Sequence, residues 1–451
     1  MAAISLLVFC LTWWMACYLI GRDPVRPALQ RASAALFGYA VAVAVWAVAP
    51  RSAAADVLLC VPALIWAGAA IGLIPPEVPE RRKIDRGWIV LSVIFLGVVL
   101  ALPAAGKLVA LAPLIGGLAL LWRAREVIRP PVLPVAAAVV AALYAAGLVV
   151  LLAPLRVGEP VIVLAAVGLD LIVLGYLVAV ADAIEAGERL HPDLRRSATA
   201  ALAAALLCGG PAALTTLAAP GVRTVVVLQF IVMAMVMAVA GLTGPIRRFL
   251  DRLAFPQDDR LRMGRAALLL SAEALPRRHE RHRLLAVSED DFRLLTRRAL
   301  DDFGDLGRLL RSPLIDLPTV DRRLTSAAAG QPLARAVELR AVLRESVARL
   351  KPDGLFGTGE QWRHYNALYF GCVLGLRPYD RGSAAAAMSD PNARRAVDWF
   401  RRYVPRTAYQ SWLAEGADLI ADRLWNDLSR TDPRWLGGAT IGKRSSATRG
   451  T

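Results

Sequence analysis

Asp170 stands in the middle of an uninterrupted apolar run, 161–181. An ionised carboxylate at the centre of a bilayer costs about 2.5–3.5 kcal/mol on insertion scales. A carboxyl there is expected to face the interior of a helix bundle, either protonated or hydrogen-bonded to a partner such as Tyr144 or Gln229. Its chemistry is that of a ligand- or proton-sensing group, or of an interhelical hydrogen bond that holds the bundle together. A second constellation lies far along the chain. Arg401, Arg402 and Arg406 are placed to neutralise phosphates, and Thr407, Gln410 and Ser411 carry donors and acceptors that can meet base edges at the start of a helix. A third group, Arg247, Arg248 and Arg252, alternates with Ile246, Phe249, Leu250 and Leu253 at helical spacing. That is the pattern of a basic amphipathic turn at the headgroup level; a plain stop-transfer flank has the same composition.

Other candidate chemistry fails on its context. Residues 437–443 spell G-x-x-x-x-G-K, but Arg444 stands where a Mg²⁺-binding Ser or Thr is required. No strand pattern precedes this stretch, and the chain after Lys443 is too short for the helix that a phosphate loop needs. His279 and His282 are three apart but sit among arginines, which repel a metal ion. The five cysteines, Cys10, Cys17, Cys60, Cys208 and Cys372, form no C-x-x-C pair and read as small buried residues. No phosphoacceptor H-E-x-R-T run, no D-x-G-x-G lid, no paired carboxylates and no nucleophile–base set occur. The expectation is a non-enzymatic protein with no cofactor and no metal.

The elements that must hold these residues follow from where the apolar and charged residues fall. The chain is 57% hydrophobic with mean hydropathy +0.49, yet its 451 residues carry a net charge of +16. Those figures are compatible only because the long apolar runs all precede Gly244. Residues 1–244 hold 17 Lys and Arg against 12 Asp and Glu, and residues 245–451 hold 36 against 25. A single soluble domain and a disordered chain are both excluded. Nine stretches approach the roughly 20 residues that cross a bilayer: 2–20, 32–49, 57–74, 88–105, 108–122, 132–152, 161–181, 198–217 and 224–242. The short pair within 88–122, around Gly106-Lys107, has one re-entrant hairpin as its alternative. Basic residues in the eight connections number 3, 1, 4, 1, 3, 1, 3 and 1. By the positive-inside rule this regular alternation puts the N-terminus outside and everything after the last span in the cytoplasm. The first stretch lacks a basic leader and an A-x-A cleavage site, so it is expected to span and not to be removed.

After the spans the pattern is helical, with helices expected at 259–274, 289–302, 332–350, 360–376, 392–403 and 406–429. Capping boxes are expected at Ser288 with Asp291 and at Thr358 with Gln361. Breaks fall at Pro276, Pro313, Pro318, Gly330, Pro352 and 354–359. No run alternates with period two, so strands should be few. Trp362, Tyr365, Tyr369 and Cys372 form a stripe on one helix face. The domain boundaries are then 1–244 for a transmembrane helical domain, 245–257 for a juxtamembrane linker, 258–436 for a cytoplasmic helical domain and 437–451 for a disordered tail. The fold class is all-α throughout.

Residues 392–429 combine a short helix, the tight Tyr403-Val404-Pro405 turn and a longer helix with a polar start, the shape of a helix-turn-helix. The stretch resembles the C-terminal helix-turn-helix of sigma-factor region 4 and of response-regulator type proteins. That resemblance covers roughly 40 residues and implies DNA contact through the six residues named above. The alternative is a helical bundle whose arginines are solvated surface. Residues 18–24, 182–188 and 250–255 also resemble the linkers of uncharacterised bacterial polytopic membrane proteins, in which a multi-span sensor-like module precedes a cytoplasmic helical signalling region. The expected protein is a multi-pass sensor or regulator of the bacterial inner membrane. Its partners would be the lipid bilayer, DNA or a cytoplasmic protein, and a second copy in a homodimer. A transporter or permease with a regulatory tail is the alternative.

Overall fold

The computed structural model describes residues 2–24, 26–50, 52–72, 81–101, 112–123, 132–153, 159–218, 222–242, 287–325, 331–379 and 390–431, with a few isolated residues between them. The protein is all-α; among the described residues there is no strand. It divides into two units, one of residues 1–182 and 190–259, the other of residues 183–189 and 260–451.

In the first unit the apolar runs form helices α1 (Ala2–Arg22), α2 (Pro27–Val48), α3 (Ala53–Gly72), α4 (Arg81–Ala101), α5 (Ala112–Arg123), α6 (Val132–Leu152), α7 (Pro160–Ala186), α8 (His191–Ala218) and α9 (Arg223–Gly241). Seven of them, α1–α4, α6, α7 and α9, are long and apolar enough to cross a membrane. The other two are α5, with 12 residues, and α8, whose first turns carry Asp193, Arg195 and Arg196. In hydrocarbon every backbone donor must be satisfied within its own helix, which is why such runs fold this way. Small residues set the closest approaches: the α-carbon of Gly241 faces Cys17, and that of Gly21 faces the Gly241 carbonyl. The interior is filled by Tyr39, Trp66, Tyr144, Met15, Leu19 and Leu36, all fully buried.

Polar contacts gather at one end of this bundle. Arg31 on α2 binds the Asp85 carboxylate on α4, donates to the Gly68 carbonyl at 3.0 Å and stacks on Trp88 at 4.7 Å. Arg22 at the end of α1 reaches Asp182 on α7 and Asp193 on α8. These pairs bring the C-terminal ends of α1 and α7 and the N-terminal ends of α2, α4 and α8 to the same side. All five ends lie in the connections that the sequence marks as rich in arginine.

The second unit is built on α10 (Glu289–Asp301), α11 (Pro332–Ala348), α12 (Arg363–Leu368), α13 (Pro391–Tyr403) and α14 (Arg406–Thr431). The Ser288 hydroxyl accepts from the Asp291 amide at 3.2 Å and donates to its carboxylate at 2.7 Å, so α10 starts as its capping pattern expects. The core joins Phe292, Leu300, Leu309, Leu314, Leu339 and Ile420. The segment 302–325, read as breaks in the sequence, instead holds short turns at Leu306–Leu309, Pro313–Asp316 and Pro318–Asp321. The buried Arg335 of α11 fastens two of them, donating to the Ile315 carbonyl at 3.1 Å and to Asp321 at 2.5 Å.

The single helix expected over 360–376 is three pieces: a 3₁₀ turn Glu360–Trp362, then α12, then a π turn Tyr369–Val373. Its expected Thr358 capping box does not form. Gly359 occupies the cap position, and no side chain closes it. The aromatic stripe survives the change of pitch, with Tyr365 stacked on Tyr369 at 5.2 Å. The expected helix 259–274, the histidine pair, the phosphate-loop-like stretch, the tail, and Arg247, Arg248 and Arg252 all lie outside the described residues.

Candidate functional site

Asp170 sits mid-way along α7 and is partly buried. It makes no hydrogen bond or ion pair among the described residues. Gln229 is committed elsewhere, its amide donating to the Ala212 carbonyl at 2.6 Å and to Thr215 Oγ1 at 2.8 Å. Tyr144 on α6 is fully buried, and its hydroxyl has no hydrogen-bond partner among the described residues. The residue that sequence reasoning missed is Tyr39 on α2. Its hydroxyl donates to the Leu164 carbonyl of α7. Gly168 makes this possible, because a Cβ there would meet the Tyr39 ring at 3.0 Å and Val8 at 2.7 Å. Cys60 of α3 is also fully buried, and its thiol donates to the Asp56 carbonyl at 3.3 Å.

Twelve residues further on, about 18 Å at 1.5 Å per residue, α7 carries a second polar cluster. Asp182 accepts from Arg22 Nε at 3.0 Å and pairs with Arg26 at 2.9 Å. Arg22 also approaches Asp193 at 3.7 Å, and the Tyr18 hydroxyl donates to that carboxylate at 3.2 Å. The Arg22 side chain is 1% exposed and that of Asp182 7%. Buried charges persist only when they are paired and their remaining donors and acceptors are answered; here two cations meet two anions. Sequence reasoning used Arg22 and Arg26 as topology markers only. The signal for more was the run of four acidic residues in the seventh connection, Asp182, Glu185, Glu188 and Asp193.

The boundary between the two units falls inside α7, after Asp182. The helix ends in a Schellman motif: the Glu188 amide donates to the Ala183 carbonyl at 2.8 Å and the Gly187 amide to Ile184 at 3.0 Å. Gly187 has φ +67°, where a side chain is strained, and a Cβ would also strike Pro313 at 2.7 Å. Within the second unit the buried Glu188 pairs with Arg311 at 3.3 Å. A small cleft, with room for about one water, opens beside this pair and is lined by Arg298, Asp302, Arg308, Arg311 and Ser312. Its guanidiniums are met by carboxylates, Arg308 by Asp302 at 3.1 Å and Arg298 by the same group at 3.8 Å.

The basic face is assembled by α13 and α14. Ala393, Ala396, Val397 and Phe400 of α13 pack into a core with Val404 and Tyr409, and Trp399 stacks on Trp412 at 5.7 Å. This leaves Arg394, Arg395, Arg402, Tyr403, Arg406, Thr407 and Gln410 exposed. Two expected readers are partly occupied: Arg401 Nε donates to the Pro378 carbonyl at 2.5 Å, and Ser411 donates to Glu415 at 2.6 Å. The remainder of α14 is a core helix through Ala417, Ile420, Ala421, Leu424 and Leu428.

His364 and Cys372 are further titratable groups near this core. Burial, then the neighbouring Arg363, holds the His364 imidazole below its ordinary value. Burial pushes the Cys372 thiol up to about 12, which leaves it without a thiolate at neutral pH. Among the described residues no cluster of three or more His, Cys, Asp or Glu has metal-binding geometry. No protein-family model, no curated protein and no solved structure matches the chain.

Proposed function

We propose that this chain is a regulator of the bacterial inner membrane. Its helical bundle, with nine spans and the N-terminus outside, reads a condition in the membrane or the extracytoplasmic space. A cytoplasmic helical domain passes that condition to an acidic partner through the exposed basic face of α13 and α14. One observation carries the reading: α7 bears the intramembrane carboxyl Asp170, then Asp182 in the buried ionic cluster, then the Gly187–Glu188 turn that packs against Pro313 and Arg311. Residues of this one helix are thereby divided between the two units. An architecture of multi-span bundle plus separate helical domain suits relay of this kind, and two-state elements that both ends bias are what relay requires.

The test is hydrogen exchange on the full chain in lipid nanodiscs. Asp182→Asn, which alters only the ionic cluster, should change amide protection in 292–316. Protection there that matches the unsubstituted protein, with the substitution confirmed folded, would mean that the bundle and the domain act independently.

A further inference from the structure

We infer that the helical domain docks on anionic lipid headgroups through the basic face of α13, with Leu355 as its apolar anchor. The inference rests on the relay reading only for what the docking does, since lipid and the acidic partner then compete for one face. Arg395 and Arg402 are seven residues apart on α13, two turns along one exposed side, with Arg394 on its flank and Arg406 opening α14. Within α13 that face carries one acidic group, Asp398. Leu355, which is 95% exposed, stands beside it. The next residue, Phe356, packs against Trp362 and Phe370 at 5.8 and 5.9 Å, and the Arg395 guanidinium lies 5.8 Å over its ring. Asn366 holds the other side of the turn, donating to the Gly357 carbonyl at 3.0 Å. The turn is thus fixed from within, and its leucine faces outward next to Arg395.

Arginines alone match any phosphate. A leucine held outward among them is surplus to a phosphate contact, but it is what a headgroup layer uses. Aliphatic side chains of a basic surface enter the acyl boundary while the cations stay with the headgroups. Tyr403, 74% exposed beside Arg402, is a residue type that settles at headgroup level. The covalent tether favours the same occupant. The second unit takes up the chain at Ala183, the residue after Asp182 of the first. Lipid around the membrane-length helices is therefore present to the domain at high effective concentration.

Leu355→Cys carrying the environment-sensitive dye NBD, in the full chain in nanodiscs, tests this. The unsubstituted chain, with its own five cysteines, sets the labelling background. In phosphatidylcholine mixed with phosphatidylglycerol the emission should shift to the blue and be quenched by doxyl groups on the acyl chains. In phosphatidylcholine alone it should do neither, and added salt should reverse the shift. Arg402→Gln and Arg406→Gln should each move the equilibrium about fivefold toward the undocked state. In the unlabelled chain phosphatidylglycerol should slow amide exchange at 354–357, and Leu355→Ser should cancel that slowing. Emission that ignores lipid composition would overturn the proposal. So would a blue shift without doxyl quenching, which would put Leu355 against protein. A probe that answers duplex DNA and not phosphatidylglycerol would assign the face to nucleic acid instead. Lipid-dependent quenching, with exchange at 292–316 that ignores Asp182→Asn, would refute the relay and leave the docking standing.

Discussion

Asp170 and Asp182 lie on the same apolar helix and meet the problem of a carboxylate there in different ways. Asp182 is held as an anion between Arg22 and Arg26; Asp170 has no cation among the described residues. Removing one member of a buried pair leaves the other uncompensated, so Arg22→Ala should destabilise the folded bundle by about 3–5 kcal/mol. Replacing both partners, Arg22→Met with Asp182→Leu, should recover part of that loss. The two most buried charges go together, while Arg26 and Asp193, which lose Asp182 and Arg22 respectively, keep some contact with solvent. Denaturation of the full chain in mixed micelles measures both, and equal damage by the single and the double change would show that packing and not charge is at stake. His364 supplies a pH dependence. Its Nε2 accepts from Arg363 at 2.7 Å and faces Glu415 at 3.7 Å, and burial favours the neutral ring. The folded chain therefore binds fewer protons here than the unfolded chain. This contribution is fully present above the unfolded value near 6.5, and it is lost as the pH falls from there through the lower folded value. Melting of the helical domain should weaken on acidification, and His364→Gln should flatten that slope. An unchanged slope would clear His364 of the effect. The sequence made Asp170 visible because a lone carboxylate in an apolar run is conspicuous. It hid Tyr39 because a tyrosine in such a run looks like packing, and only the fold brings α2 against Gly168 of α7.

At the scale of elements, periodicity located α10, α11, α13 and α14 to within a few residues, since each has an apolar stripe and a marked start. The turns at Pro313–Asp316 and Pro318–Asp321 were missed because four residues are too few to show a period. The break of 360–376 into 3₁₀, α and π pieces was missed because the aromatic stripe reads alike through all three. What the sequence could least reveal is that 183–189 belongs with residues 260–451, since that depends on a turn and two long-range contacts. Gly187 is the hinge of that assignment. Its left-handed backbone excludes a Cβ, and the space beside it is filled by Pro313 and Leu295. Gly187→Ala should cost at least about 1 kcal/mol from backbone strain alone, and more from the clash. The measurable outcome is faster amide exchange at Glu188 and across 306–316 in the full chain. Exchange as slow as in the unsubstituted protein would mean that the turn can reorganise without loosening the domain.

For the whole molecule, the distribution of charge decides what the excess of +16 is for. Thirteen of the 17 basic residues before Gly244 lie in the odd-numbered connections, and the structure pairs three of them, Arg22, Arg26 and Arg31, with Asp182, Asp193 and Asp85. Much of the helical domain's arginine is likewise answered, as Arg293 is by Asp422 and Arg297 by Asp418. Among the described residues, the exposed face of α13 and the first turn of α14 carries Arg394, Arg395, Arg402 and Arg406 against Asp398, and phosphate is a chemistry that matches it. Full-length protein in zwitterionic nanodiscs should retard duplex DNA, with log affinity falling linearly in log salt. Arg402→Ala and Arg406→Ala should each lower that slope by about 1, the contribution of one phosphate contact. Arg401→Ala should act less on the slope and more on stability, because its guanidinium is already bonded to the Pro378 carbonyl. Gln410→Ala should relax base preference by about 1–3 kcal/mol if the first turn of α14 enters a groove. Ser411→Ala should leave that preference unchanged, since its hydroxyl is held by Glu415. Retardation that ignores salt, or that survives loss of both Arg402 and Arg406, would remove DNA as the partner and leave an acidic protein surface as the match for this face.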